Sequence, residues 1–173
     1  TEAYERLRTL DAEPISNRTN DGGIAPDGSF WFGTMDDAQK VAQGNYYRYT
    51  SDGKLEPLRL PSVMITNTFQ FSPDGSVFYT CDSVEQEVLS FQHEIGTGKV
   101  TDRKVLANTF ELSGYPDGSA VDSEGCLWTC LWDASRIVRL TPDGEIDRTI
   151  TLAAPRPTSL TFGDEDLKTL FIT

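Results

Sequence analysis

One histidine, three cysteines and no long apolar run exclude several kinds of chemistry from this 173-residue chain. A Ser-His-Asp or Cys-His arrangement would have to draw its base from His93. That residue falls in a polar hairpin expected at the outer side of its sheet, away from any catalytic centre. Cys81, Cys126 and Cys130 are too few and too irregularly spaced for a disulfide framework or a Cys-x-x-Cys zinc site, and they read as reduced, buried thiols. Cations are scarce as well: 15 Lys and Arg stand against 27 Asp and Glu, a formal charge of -12 that disfavours nucleic acid and anionic membrane surfaces as partners. No apolar stretch approaches the roughly 20 residues that span a bilayer. The opening TEAYERLRTLDAE lacks the apolar centre of a secretory signal. The glycines fall in turns, not in a phosphate-binding loop. The expectation is a soluble, cytoplasmic protein.

What is abundant is a short-strand pattern. Runs rich in aromatic and β-branched residues alternate with Gly, Asp and Pro turns, and helical periodicity is nearly absent, so the fold class is all-β. Two kinds of hairpin take turns. The apolar kind comprises GIAPDGSFWFGT, TFQFSPDGSVFYTC and SAVDSEGCLWTC, turning at Gly28, Gly75 and Gly125. The polar kind comprises NYYRYTSDGKLEPL, EVLSFQHEIGTGKVTDRKVL and RIVRLTPDGEIDRTI, turning at Gly53, Gly98 and Gly144. Equivalent glycines lie 45 to 50 residues apart, the period of a four-stranded propeller blade built from two hairpins. A β-sandwich offers no reason for the strict alternation of apolar and polar hairpins.

The expected units are whole blades at 18–60, 66–107 and 117–152, the first half of a further blade at 158–173, and the last strand of a missing blade at 1–13. The total is about three and three-quarter blades. The terminal pieces do not add up to one blade, so a fragment of a longer β-propeller is the expectation; a closed four-bladed ring with a defective last blade is the competing reading. An open arc would leave sheet faces and edges exposed.

In such a fold the first strands line a central channel. Eight residues ahead of the first-hairpin glycines stand Asn20, Asn67 and Asp117, and the aligned position of the half blade is Thr158. Their oxygens should meet at the channel mouth, a suitable shell for a hard or borderline divalent cation. Each could instead cap its own turn. Arg18 adds a planar donor fork suited to a carboxylate or several hydroxyls, although an Arg on a turn is commonly just solvated. Cys126, Trp128 and Cys130 share one strand face and read as packing.

Four segments carry a resemblance to the family of senescence marker protein 30 (regucalcin), gluconolactonase and related sugar lactonases. They are RTNDGGIAPDGSFWFGTM, ITNTFQFSPDGSVFYTCDS, YPDGSAVDSEGCLWTCLWD with RIVRLTPDG, and FGDEDLKTLFIT. YPDGSAVDSEG and DLKTLFIT are especially similar to bacterial gluconolactonase or xylonolactonase-like members. The resemblance implies a six-bladed β-propeller that hydrolyses an aldonolactone such as gluconolactone or xylonolactone to the aldonic acid, using one divalent cation (Ca, Zn, Mn or Fe). It matches Asn67 and Asp117 to metal ligands, Asp117 also to a general base, and Arg18 and Asn20 to substrate contacts. Two departures stand out: the family's Glu-Gly-Pro segment, which supplies a glutamate ligand, is not in this chain, and Thr68 stands where the family usually has Gly. A non-catalytic binding scaffold, or a hydrolase of another ester or a phosphotriester, are the alternatives.

Overall fold

The computed structural model describes residues 5–173 as an arc of four antiparallel sheets. Strands β1 (Asn17–Ile24), β2 (Phe30–Asp36), β3 (Tyr46–Tyr49) and β4 (Leu55–Pro57) make the first blade. Strands β5 (Thr66–Phe71), β6 (Val77–Asp82), β7 (Glu87–Glu94) and β8 (Lys99–Asn108) make the second. Strands β9 (Tyr115–Val121), β10 (Leu127–Trp132), β11 (Arg136–Leu140) and β12 (Ile146–Thr151) make the third. Strands β13 (Leu160–Gly163) and β14 (Thr169–Ile172) form a two-stranded half blade. Every blade pairs strictly in chain order, and the first strands β1, β5, β9 and β13 each touch the next, so the sheets fan out from a common axis. The architecture is that of a partial β-propeller.

The first hairpins repeat because their turn chemistry repeats. In Ser72-Pro73-Asp74-Gly75, Gly75 N–H donates to the Ser72 carbonyl at 2.8 Å while Asp74 Oδ1 accepts from Ser72 Oγ and from Ser76 N–H. Asp27 accepts from Ser29 N–H in the same way, and in the third blade Asp122, at the position of Ser72, accepts instead from Glu124 N–H and Cys126 N–H. Gly75 closes its turn at φ +74°, a conformation that costs a side-chain-bearing residue but not glycine.

Stability comes from the faces between blades. On β6, Phe78 points to the first blade, packing on Trp31 together with Phe69 and Phe91 of its own sheet, while Tyr79 and Cys81 point to the third, meeting Leu127, Leu131, Val138 and Leu140. The same alternation on β10 sends Trp128 and Cys130 to the half blade, against Leu160 and Phe162. All three cysteines are buried free thiols. His93, on β7, is buried against Trp31 with Nδ1 2.7 Å from the Gly75 carbonyl oxygen. The fourth strands face outward, and every residue of β12 is exposed.

The two ends of the arc show faces that inner blades cover: Ile24 and Phe30 at one end, Phe171 and Ile172 at the other. Residues 5–10, expected within the last strand of a further blade, form no strand; residues 1–4 lie outside the described part. A strand needs a neighbour with free backbone donors and acceptors, and none of the described strands pairs with this segment. Among the described residues, three whole sheets and a half one are formed. The segment is anchored instead by Glu13, whose carboxylate accepts from Asn17 Nδ2, Thr34 Oγ1, Asn45 Nδ2 and Tyr47 OH.

Candidate active site at the blade entrances

Each complete blade interrupts its first hairpin at nearly the same level. Pairing of β1 with β2 runs through Thr19↔Thr34 and resumes at Gly22↔Phe32, so Asn20 and Asp21 together oppose Gly33. The slip in β5 falls between Asn67 and Gln70, and that in β9 between Pro116 and Ser119. Such bulges bend a strand and re-aim its side chains. Here they turn the entrance residues toward a cavity of about 640 Å³ whose walls include Arg18, Asn20, Asp21, Asn67, Ser83 and Asp117. Thr158 of the half blade also reaches this wall, and Tyr115 and Trp132 give it an apolar side.

Asn20 and Asn67 do not cap their own turns. Asn20 Nδ2 crosses to the second blade, donating to the Thr66 carbonyl at 2.9 Å and to Asn67 Oδ1 at 2.9 Å. Asn67 is 7 % exposed and donates through Nδ2 to Ser83 Oγ at 2.9 Å. Arg18 is held rather than simply solvated: Nε meets Asp37 Oδ1 at 2.8 Å, and Nη1 donates to Asn20 Oδ1 at 2.9 Å and to the Thr19 carbonyl at 3.0 Å. This leaves Nη2 of the fork without a partner among the described residues.

Asp117 differs from these neighbours because no described side chain donates to its carboxylate. Burial, and then the charge of nearby Asp21, push its pKa up to about 6, with the Gly118 N–H opposing the shift. Asp21 is also shifted upward by burial, although Gly22 N–H and Thr68 N–H donate to its two oxygens at 2.8 Å each. Two half-buried carboxylates without a cationic partner favour a proton or a metal cation nearby. The donors available to a cation are hard oxygens, Asn67 Oδ1 and the Asp117 carboxylate, which fit calcium, manganese or zinc as part of a coordination shell. Among the described residues no three His, Cys, Asp or Glu side chains gather into a complete metal cluster.

Thr68 explains how these groups are held in place. Its φ is +59°, in the left-handed region where a β-branched residue is costly and glycine is not. The conformation is supported by three contacts: Thr68 N–H to Asp21, Oγ1 to the Asp117 carbonyl at 2.7 Å, and Oγ1 to Ser119 Oγ at 2.6 Å. One residue thus links the entrances of three blades.

Sequence reasoning named Arg18, Asn20, Asn67 and Asp117, and the structure brings all four to one cavity wall. It missed Asp21 and Ser83. Asp21 could have been found from its position beside Asn20, aligned with Thr68 and Gly118; Ser83 carries no sequence signal. His93 does not line the cavity.

Residues 2–173 match the family described as SMP-30/Gluconolactonase/LRE-like region. An L-arabinolactonase of Azospirillum brasilense is 40% identical over 158 residues, covering 88% of this chain and 52% of the relative. Among solved structures, a luciferin-regenerating enzyme superposes with a TM-score of 0.90 at 27% identity, covering 96% of this chain and 57% of that one. A regucalcin of Agrobacterium tumefaciens, described as a calcium-binding protein, gives 0.87 at 28% identity, covering 95% and 55%. The chain spans just over half the length of these relatives. The match over nearly the whole sequence, on a fan of four-stranded sheets with polar blade entrances, places this chain in the SMP-30/gluconolactonase/LRE-like family.

Proposed function

We propose that the intact protein hydrolyses a sugar lactone, an aldonolactone such as gluconolactone or xylonolactone, to its aldonic acid, with a divalent cation held by Asn67 and Asp117. The observation that carries this reading is a single cavity where the unpaired Asp117 carboxylate and the Asn67 amide oxygen share a wall with Arg18 and Asn20. The lactonase among the relatives supports the substrate class. The regucalcin described as calcium-binding supports a cation.

A bound cation would supply Lewis acidity toward the lactone carbonyl and the attacking water. The chain's own residues do the rest. Arg18 offers its free Nη2, and Asn20 the second lone pair of its amide oxygen, to the sugar hydroxyls, which orients the ester carbon. The Tyr115 and Trp132 side of the cavity covers the apolar face of the sugar ring. Asp117 accepts a proton from the water as its oxygen bonds to the carbonyl carbon. The bond from that carbon to the ring oxygen then breaks, and the ring oxygen leaves as a hydroxyl after taking up the proton.

The test is acid release from gluconolactone and xylonolactone by the intact protein, with and without calcium, zinc, manganese or iron. Cation-dependent opening that falls at least about 100-fold in Asp117→Ala is expected for loss of a group that both ligates and accepts the proton. Equal rates for the two proteins would refute the mechanism.

A further inference from the structure

Ser83, in the loop after β6, has no role in the chemistry above, yet it touches Asn67 and the peptide carbonyl just before Asp117. The residue is 6 % exposed. Its Oγ lies 2.9 Å from Asn67 Nδ2 and 2.6 Å from the carbonyl oxygen of Pro116, the residue before Asp117. A serine hydroxyl has one proton. The Pro116 carbonyl can only accept, so the proton goes there, and Ser83 Oγ is left to accept from Asn67.

The other end of the chain of bonds is fixed in the same way. Arg18 can only donate, and its Nη1 meets Asn20 Oδ1 at 2.9 Å. Asn20 Nδ2 then faces the Thr66 carbonyl, which can only accept, and Asn67 Oδ1. Rotating the Asn67 amide by half a turn would set its oxygen against a hydroxyl whose proton is engaged and its nitrogen against that of Asn20. At the buried Ser83 contact the oxygen would be left unpaired, and at the Asn20 contact two donors would face each other, so the observed orientation is favoured.

We propose that Ser83 is a positioning residue: it orients the Asn67 amide so that oxygen rather than nitrogen serves a divalent cation. The proposal rests on the cation-binding reading of Asn67 and Asp117. A role of this kind is worth about 10- to 100-fold in metal affinity.

The test is a double-mutant cycle read by manganese binding to the intact protein, followed by electron paramagnetic resonance. Ser83→Ala is expected to weaken binding about 10-fold when position 67 is Asn. In an Asn67→Asp background, whose two oxygens are equivalent, the same change should cost less than about twofold. Ser83→Thr, which keeps the hydroxyl, should recover most of the affinity. Equal losses in both backgrounds, or no loss in either, would overturn the proposal, since a merely structural serine would not distinguish them. Loss of binding in Asn67→Ala without an effect of Ser83→Ala sinks this proposal alone. Unchanged binding in Asn67→Ala sinks the cation-binding reading as well. A second readout needs no metal: in the cation-free protein, the side-chain amide resonances of Asn67 should shift and lose exchange protection in Ser83→Ala, while amide signals distant from Asn20 and Pro116 stay in place. An unmoved Asn67 amide pair would refute the orientation argument itself.

Discussion

Replacing Asp117 with Asn should stabilise the cation-free protein at neutral pH, even though it removes the residue assigned to catalysis. The folded state pushes the Asp117 pKa up to about 6 from an ordinary 3.8, first through burial and then through the charge on Asp21. The folded protein therefore holds this proton more tightly than the unfolded chain does. The stabilisation from that proton is fully present below pH 3.8 and is lost as the pH rises through about 6. At about 1.4 kcal/mol per tenfold difference in proton affinity, the upper bound is ~3 kcal/mol, and partial solvent access reduces it to about 1–3 kcal/mol. Asn keeps the shape without the charge. In EDTA, urea unfolding at pH 7.5 should show Asp117→Asn more stable than the wild type by about 1–3 kcal/mol, and near pH 4 the two should converge. With a saturating divalent cation the order should reverse, because binding stabilises only the protein that holds the ion. A gain independent of pH, or no gain at pH 7.5, would refute the electrostatic reasoning.

Three further expectations follow from the same geometry. Thr68→Gly relieves the positive φ while losing the hydroxyl bridge, whereas Thr68→Val keeps the strain and loses the bridge, so thermal melts should rank Val below Gly by about 1–2 kcal/mol. Glu13→Ala removes the acceptor shared by Asn17, Thr34, Asn45 and Tyr47 and should lower stability by about 2 kcal/mol in urea titrations, with proteolysis near residues 10–16 appearing first. Trp132→Ala should raise KM for the lactone about 10-fold with kcat changed less than about threefold, because the ring contributes to binding and not to bond making.

The hairpins were legible because they rest on local chemistry: Asp and Gly within four residues of each other set each first turn, and Trp31, Phe78 and Trp128 mark strands buried on a sheet face. The shared register of Asn20, Asn67 and Asp117 was legible for a related reason, since every blade enters its first strand through the same backbone path. Asp21 was not. In a regular strand, neighbours point to opposite faces, so a residue adjacent to Asn20 would be assigned away from the channel. The bulge opposite Gly33 suspends that alternation and lets both side chains serve one cavity. Ser83 was hidden for another reason: its two partners are 16 and 33 residues away, and only the packing of the second blade against the third brings them to one hydroxyl. The segment at 5–10 resembles fourth strands in composition, but composition does not supply a pairing partner.

The central claim is that the blade entrances converge on one cation. The direct measurement is a zinc-edge anomalous difference map from crystals of the intact protein grown or soaked with zinc. The account requires a single dominant peak in the cavity, about 2.0–2.2 Å from both Asn67 Oδ1 and an Asp117 carboxylate oxygen. A peak ligated by other residues, or no peak in that cavity at saturating zinc, would contradict it.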